Sequence, residues 1–400
     1  MSRAARFSAD SPARWRAVRR GLNERRYPLT QAASRLYPVV ARVGTTGLLC
    51  REEWIPSQPL GLDEVTLNWA GHPPAPAVSG TEPVSAHVRP LRGDGTRYPA
   101  YTDAIAALGP PALFDNRPCY RLLAARLVPG ASHLDLAHGR YFEGVNIGEA
   151  LAHELAAALA DGRGPVTRPR LPFRDVIGDP CDLSRRSAMC AVTTLTLRRT
   201  ASGDASFLLH WRDPGQVTHA GGLYQVMPVG IFQPADGNPA SVGSDLSLWR
   251  SMAREFSEEL LGTTEDYRDL GSPLDYGRWP FYRALSAARG TGTLRVFCLG
   301  MGVDPLTLAV DILAVAVFDS DVFDGLFAGL VTANAEGRVI GGLSDPGGLS
   351  DPGGPGDPGT PGVPFTAEVI DRFAGGAEPT QAAGAAVLQL AWQHRASLLG

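Results

Sequence analysis

The 400-residue chain is 44% hydrophobic and 20% charged, a globular composition with ample apolar material for a core. Its net charge of −4 leaves no extended basic footprint for nucleic acid or an anionic membrane surface. All 37 basic residues are arginine, and the absence of lysine excludes P-loop phosphate binding, pyridoxal Schiff-base chemistry and protein-kinase catalysis.

The arginine-only usage, with 46 Gly and 33 Pro, fits the coding bias of a GC-rich genome. Cys50, Cys119, Cys181, Cys190 and Cys298 are scattered, with no C-x-x-C. An odd count at irregular spacing argues against a disulfide framework or zinc cage and reads as reduced thiols. The opening MSRAARFSADSPARWRAVRR has no apolar signal core. The most apolar stretch, 306–318, contains Asp311 and is too short to span a bilayer. A cytoplasmic location with no membrane partner is expected.

In chain order, residues 14–36 read as helical and basic. LTQAASRLYP (29–38) resembles a helix-turn-helix opening, but without a recognition partner it reads better as a packing helix, and DNA binding is disfavoured. GLDEVTLNW (61–69) alternates as a strand does. The run 143–164 is rich in Ala and Leu and predicts a helix, with Asn146 as N-cap and Gly162 and Gly164 as its stop. The stretches 189–199, 206–213 and 221–234 predict three strands, the last ending at Pro-x-Gly. A helix over 244–262 follows a long loop, and 294–302 and 308–319 predict buried strands. The Gly/Pro/Asp repeat at 340–364 cannot bury a core and predicts a disordered linker. The run 381–399 predicts a helix packing through Val387, Leu390, Ala391 and Trp392.

The helix at 244–262 carries the chemistry. Ser244 or Asp245 is the expected cap. Trp249, Met252, Phe256 and Leu260 recur at helical spacing as a buried stripe. Glu255, Glu258 and Glu259 stand at i, i+3 and i+4, so three carboxylates share one side. Such like charges repel unless a cation sits among them, and hard oxygen donors suit Mg²⁺ or Mn²⁺. Arg254 can orient a carboxylate. The alternative is a solvated acidic face balanced by Arg250 and Arg254.

With the strands before it, the segment REFSEELLG (254–262) resembles the metal-binding helix of the Nudix hydrolase superfamily, R-E-aliphatic-x-E-E-x-G-aliphatic. Arg254, Glu255, Phe256, Glu258 and Glu259 match position by position, 206–213 resembles the preceding strand, and 228–230 the P-x-G turn. The resemblance covers 188–319. It departs at three points. The glycine is displaced by one, to Gly262. The upstream glutamate position is Leu246, with Asp245 adjacent but off phase. The loop 233–244 is longer than the family's.

The resemblance implies a Nudix-like mixed sheet with flanking helices (an α+β or α/β/α sandwich class) over 186–339. An α+β N-terminal domain of unknown role would precede it over 1–185, and a helical segment, 365–400, would pack onto it. It also implies a Mg²⁺- or Mn²⁺-dependent hydrolase of a nucleoside-diphosphate-like substrate. Glu255, Glu258 and Glu259 would be metal ligands and catalytic groups, and Arg254, Arg250 and His219 substrate contacts. The departures leave open a catalytically silent Nudix-fold sensor or regulator. The expected partner is a small-molecule diphosphate, with a homodimer left open.

Other features have plainer readings beside functional ones. Glu149 and His153 have metal-ligand spacing but lack a second histidine, so a helix-surface pair is expected. Arg168, Arg170, Arg174, Arg185 and Arg186 form a basic cluster that either contacts phosphate or is a solvated linker. Tyr276, Trp279, Phe281 and Tyr282 either stack on a base or pack.

Overall fold

A computed structural model describes residues 3–111, 114–212, 222–263, 273–331, 333–334, 337–340 and 362–400. The chain runs α1 (Arg3–Glu24), α2 (Arg26–Ser34), β1 (Leu60–Gly61), β2 (Thr66–Trp69), α3 (Tyr101–Leu108), β3 (Pro118–Arg126), β4 (His133–Arg140), α4 (Tyr141–Ala160) and α5 (Pro172–Ile177). It continues through β5 (Ala188–Arg199), β6 (Ala205–Phe207), β7 (Leu209–Arg212), β8 (Leu223–Val226), β9 (Val229–Ile231), α6 (Pro239–Ser244) and α7 (Leu248–Glu255). The remainder is α8 (Pro280–Gly290), β10 (Leu294–Val303), β11 (Val310–Asp319), α9 (Ser320–Leu326), β12 (Ala333–Asn334), β13 (Gly337–Ile340), β14 (Val363–Pro364), α10 (Ala367–Ala374), α11 (Ala382–Gln393) and α12 (Arg395–Leu399).

The architecture is mixed α and β: a curled mixed sheet with flanking helices. Its spine is β5. One edge of β5 pairs in parallel with β11 from Cys190↔Val310 to Arg199↔Asp319. Its other edge pairs antiparallel in turn with β3, β9 and β6. The sheet order is β1-β10-β11-β5-β3-β4-β2, so one sheet runs across position 185: β3 pairs with β5, and β1 with β10. Cys190, Val192, Leu195 and Leu197 of β5 are buried, as is nearly all of β11. Helices cover strands of this kind on both faces, which is why 308–319 reads as an apolar run broken before its end only by Asp311. α11 lies across β5, β10 and β11 with Val387, Leu390 and Ala391 buried. No helix among the described residues is long and apolar enough to cross a membrane.

Several boundaries differ from expectation. The strand at 206–213 is two, parted at Leu208: β6 pairs with β5, and β7 belongs to a second sheet of order β12-β13-β7-β8. The strand at 221–234 is also two. Pro228 has no N–H for a ladder, and the chain changes sheets there: β8 stays in the second sheet while β9 joins β5. Asn146 is not an N-cap. β4 passes directly into α4 at Tyr141, and the Asn146 side chain accepts a 2.9 Å bond from the Thr102 N–H. The helix over 14–36 is α1 and α2, broken at Arg25. Of the linker at 340–364, residues 341–361 lie outside the described residues.

Candidate active site

The acidic helix begins later than its sequence suggests. Neither Ser244 nor Asp245 caps it. Residues 239–244 form the separate helix α6, and Ser247 caps α7 by accepting the Arg250 N–H at 3.3 Å. Trp249, Met252, Phe256 and Leu260 are buried as the stripe requires. The Phe256 ring meets Phe318 at 5.6 Å and Phe327 at 6.0 Å, which locks α7 over β11 and α9. At Phe256 the winding changes, and Phe256–Leu260 is a π turn. Such i→i+5 turns inside helices concentrate at functional sites. The wider turn rotates Glu258 further from Glu255 around the axis than an α-helix would.

Asp245 escapes the cap because it is used inside. It is fully buried, accepts the Ala235 N–H at 2.7 Å and the Tyr276 hydroxyl at 2.8 Å, and lies 3.8 Å from the Arg254 guanidinium. Arg254, also buried, donates to the Gln233 carbonyl at 2.5 Å and to the Tyr276 hydroxyl. Burial opposes the Arg254 charge, but Tyr276, Asp245 and Glu255 outweigh it and hold its pKa above the ordinary value. Arg254 is therefore an anchor between the helix, the 233–245 loop and Tyr276, rather than an exposed substrate contact. Arg250 donates to the Ser244 carbonyl, and its guanidinium lies 4.6 Å from the centre of the Tyr276 ring.

The carboxylates meet the sheet at β9. Glu259 accepts the Val229 N–H at 3.1 Å. The Glu255 carboxylate lies against Gly230, where any Cβ would collide with it. Glycine in the P-V-G turn thus leaves room for the Glu255 carboxylate, the far end of a flexible side chain that a Cβ would push aside. Glu255, Glu258 and Glu259 are all half-buried. Among the described residues, however, no three of His, Cys, Asp and Glu are gathered tightly enough to hold a metal ion by themselves.

Gly230→Ala should displace the Glu255 carboxylate from β9 at a cost of up to about 1 kcal/mol, since the flexible side chain can swing aside. In Gly230→Ala/Glu255→Ala the collision partner is gone, so urea midpoints should show most of that loss recovered. Simple additivity of the two single losses would contradict the contact.

The remaining candidates sort by what they touch. His219 lies outside the described residues. Glu149 is ion-paired with Arg19 and with Arg26, the latter at 2.6 Å, joining α4 to α1 and α2. His153 is buried, 3.0 Å from the Tyr101 hydroxyl, and burial pushes its pKa down to about 3. The two are not a surface pair. The basic cluster is mostly structural. Arg174 is buried and donates to the carbonyls of Pro305 and Leu306, and Arg186 donates to that of Leu308. Arg170 and Arg185 donate to the carbonyls of Gly164 and Val176, and Arg168 pairs with Asp175 at 3.2 Å. Tyr276 and Tyr282 pack edge to face at 4.9 Å, and both line an open hollow of about 570 Å³ with Arg283 and Ser286.

The contacts of Asp245 and Tyr276 with Arg254 are the ones sequence reading missed. Their spacing from Arg254 gives no periodic signal, because a loop and a separate chain segment bring them together. No protein-family model matches this sequence, and no curated protein matches it.

Proposed function

We propose that the chain is a Mg²⁺- or Mn²⁺-dependent hydrolase of a nucleoside-diphosphate-like substrate, with a Nudix-type fold and a cytoplasmic setting. One observation carries the reading: Glu255 and Glu259, a helical turn apart, both abut the Val229–Gly230 backbone. Magnesium is commonly held by only one or two carboxylates, with substrate phosphates and waters completing its shell. Glu255 and Glu259 fit that demand without a third protein ligand, and their hard oxygens suit the ion. When bound, the ion would neutralise diphosphate charge. Glu258, turned aside by the π winding, would take the proton of the attacking water as the new O–P bond forms and the bridging P–O bond breaks. Arg254 acts as a positioning residue, through Asp245 and Tyr276. Arg250 and the Tyr276–Tyr282 hollow are the proposed substrate side.

A second reading, a silent Nudix-type ligand sensor, is favoured by the absence of a three-carboxylate cluster among the described residues. The two separate on incubation with a panel of nucleoside diphosphate derivatives and Mg²⁺. The hydrolase should turn over at least one, and Glu258→Gln and Glu259→Gln should each lower kcat by about 10²–10⁴ with unchanged circular dichroism. Diphosphate binding by calorimetry without turnover gives the sensor. Neither turnover nor Mg²⁺ binding would sink the hydrolase.

A further inference from the structure

A second cavity, of about 370 Å³, opens between α1, the 3₁₀ turn Pro83–Val88 with the segment after it, and α4. Its chemistry is one-sided. Arg14, Arg89, Arg97, His87 and His153 line it, and no carboxylate does. Arg14 and Arg97 are exposed at its mouth, and Arg89 is buried. Two acids that neighbour lining residues are held by backbone N–H groups. Glu82 accepts the backbone N–H groups of Ser79 and Gly80. Glu154 accepts those of Phe173 and Arg174 together with a 2.8 Å contact to His87. Arg97 donates to the Arg89 carbonyl, which brings two guanidinium groups together; burial and the Arg97 charge lower the Arg89 pKa, and Glu82 opposes them.

Two buried donors in the lining also lack acceptors. Trp15 Nε1–H and Arg89 Nε–H, on side chains 5% and 7% exposed, have no hydrogen-bond partner. A buried donor left unpaired costs about 1–3 kcal/mol. The Arg89 terminal nitrogens donate to the carbonyls of Tyr98, Pro99, Thr81 and Glu82, so the features that suit an oxyanion are the convergence of guanidiniums, the two unsatisfied buried N–H groups and a lining without a carboxylate. We propose that this cavity binds a small phosphate-type oxyanion, either free phosphate or a phosphate monoester. It shares no lining residue with the acidic helix and stands independently of the hydrolase reading.

The test is calorimetry of the full chain with inorganic phosphate and with phenyl phosphate, at matched ionic strength and in EDTA so that no divalent ion contributes. Saturable one-to-one binding is expected. Arg97→Gln and Arg14→Gln should each weaken it at least about tenfold, whereas Arg20→Gln, on α1 outside the lining, should not. Both exposed arginines can be replaced without opening the core, and circular dichroism confirms the fold. Tighter binding of phenyl phosphate identifies a monoester site, and equal binding a free-phosphate site. No saturable binding of either probe, or binding indifferent to both substitutions, overturns the proposal.

Discussion

Asp245→Ala is expected to destabilise the chain by about 3–5 kcal/mol, the range for breaking a buried ion pair from one side. The reason lies in what remains. Arg254 stays buried beside Tyr276 with its buried counter-charge gone and only half-buried Glu255 to oppose it, and the Ala235 N–H loses its acceptor. Tyr276→Phe removes one hydroxyl from the same network and should cost less, about 1–3 kcal/mol. The double variant should fall short of the sum, because both changes disrupt one cluster. Urea unfolding at neutral pH measures all three. A loss below about 1 kcal/mol for Asp245→Ala would mean that Arg254 finds water, and its anchoring role would then fail. The network bears on the proposed hydrolase because Arg254 immediately precedes Glu255: loosening it is expected to release the carboxylates from β9.

Asp311→Asn should do the reverse and stabilise the chain above neutral pH. Asp311 lies in the buried β11 strand, and its carboxyl accepts the Thr193 hydroxyl at 2.8 Å. Burial raises its pKa from 3.8 to about 7, the Thr193 bond opposes this, and Asp304 adds to it. The sign follows from proton counts. Between pH 4 and 7 the folded chain holds a proton on Asp311 that the unfolded chain has lost. Stability therefore falls as pH rises through that window and stays lower above it. The shift corresponds to a few kcal/mol, on the order of 4. Asparagine keeps an acceptor for Thr193 and never ionises, so the variant should gain stability at pH 8 and lose this part of the pH dependence. Urea midpoints at pH 4.5, 6 and 8 decide it, and parallel pH profiles for the two proteins would refute the account.

Some of this molecule is legible residue by residue. The buried stripe Trp249, Met252, Phe256 and Leu260 follows from spacing and is found buried. The strands at 294–302 and 308–319 also follow from local pattern and appear as β10 and β11. Nothing local signals that Met227–Pro228 hands the chain from one sheet to the other. Nor does local pattern predict the π turn at Phe256–Leu260. The helix cap was misread for a related reason. Ser244, Asp245 and Ser247 are all competent caps, and only the buried Arg254 and Tyr276 draw Asp245 inward and leave Ser247 to cap α7.

What the amino-acid sequence by itself determined is the inventory: apolar periodicities that must be buried, three carboxylates within five residues, and no lysine to serve a phosphate loop. These depend on neighbours along the chain, whose spacing the covalent backbone sets. Tertiary structure decided which carboxylates share a surface. Glu255 and Glu259 abut β9 because Gly230 leaves room for one and Val229 offers an N–H to the other. It likewise decided that Arg254 anchors while Arg14, Arg89 and Arg97 converge on a cavity without a carboxylate. Arginine is one residue type in all these places. Its role is set by the charges and carbonyls that distant segments bring within a few ångströms, where Coulomb and hydrogen-bond energies are large enough to choose.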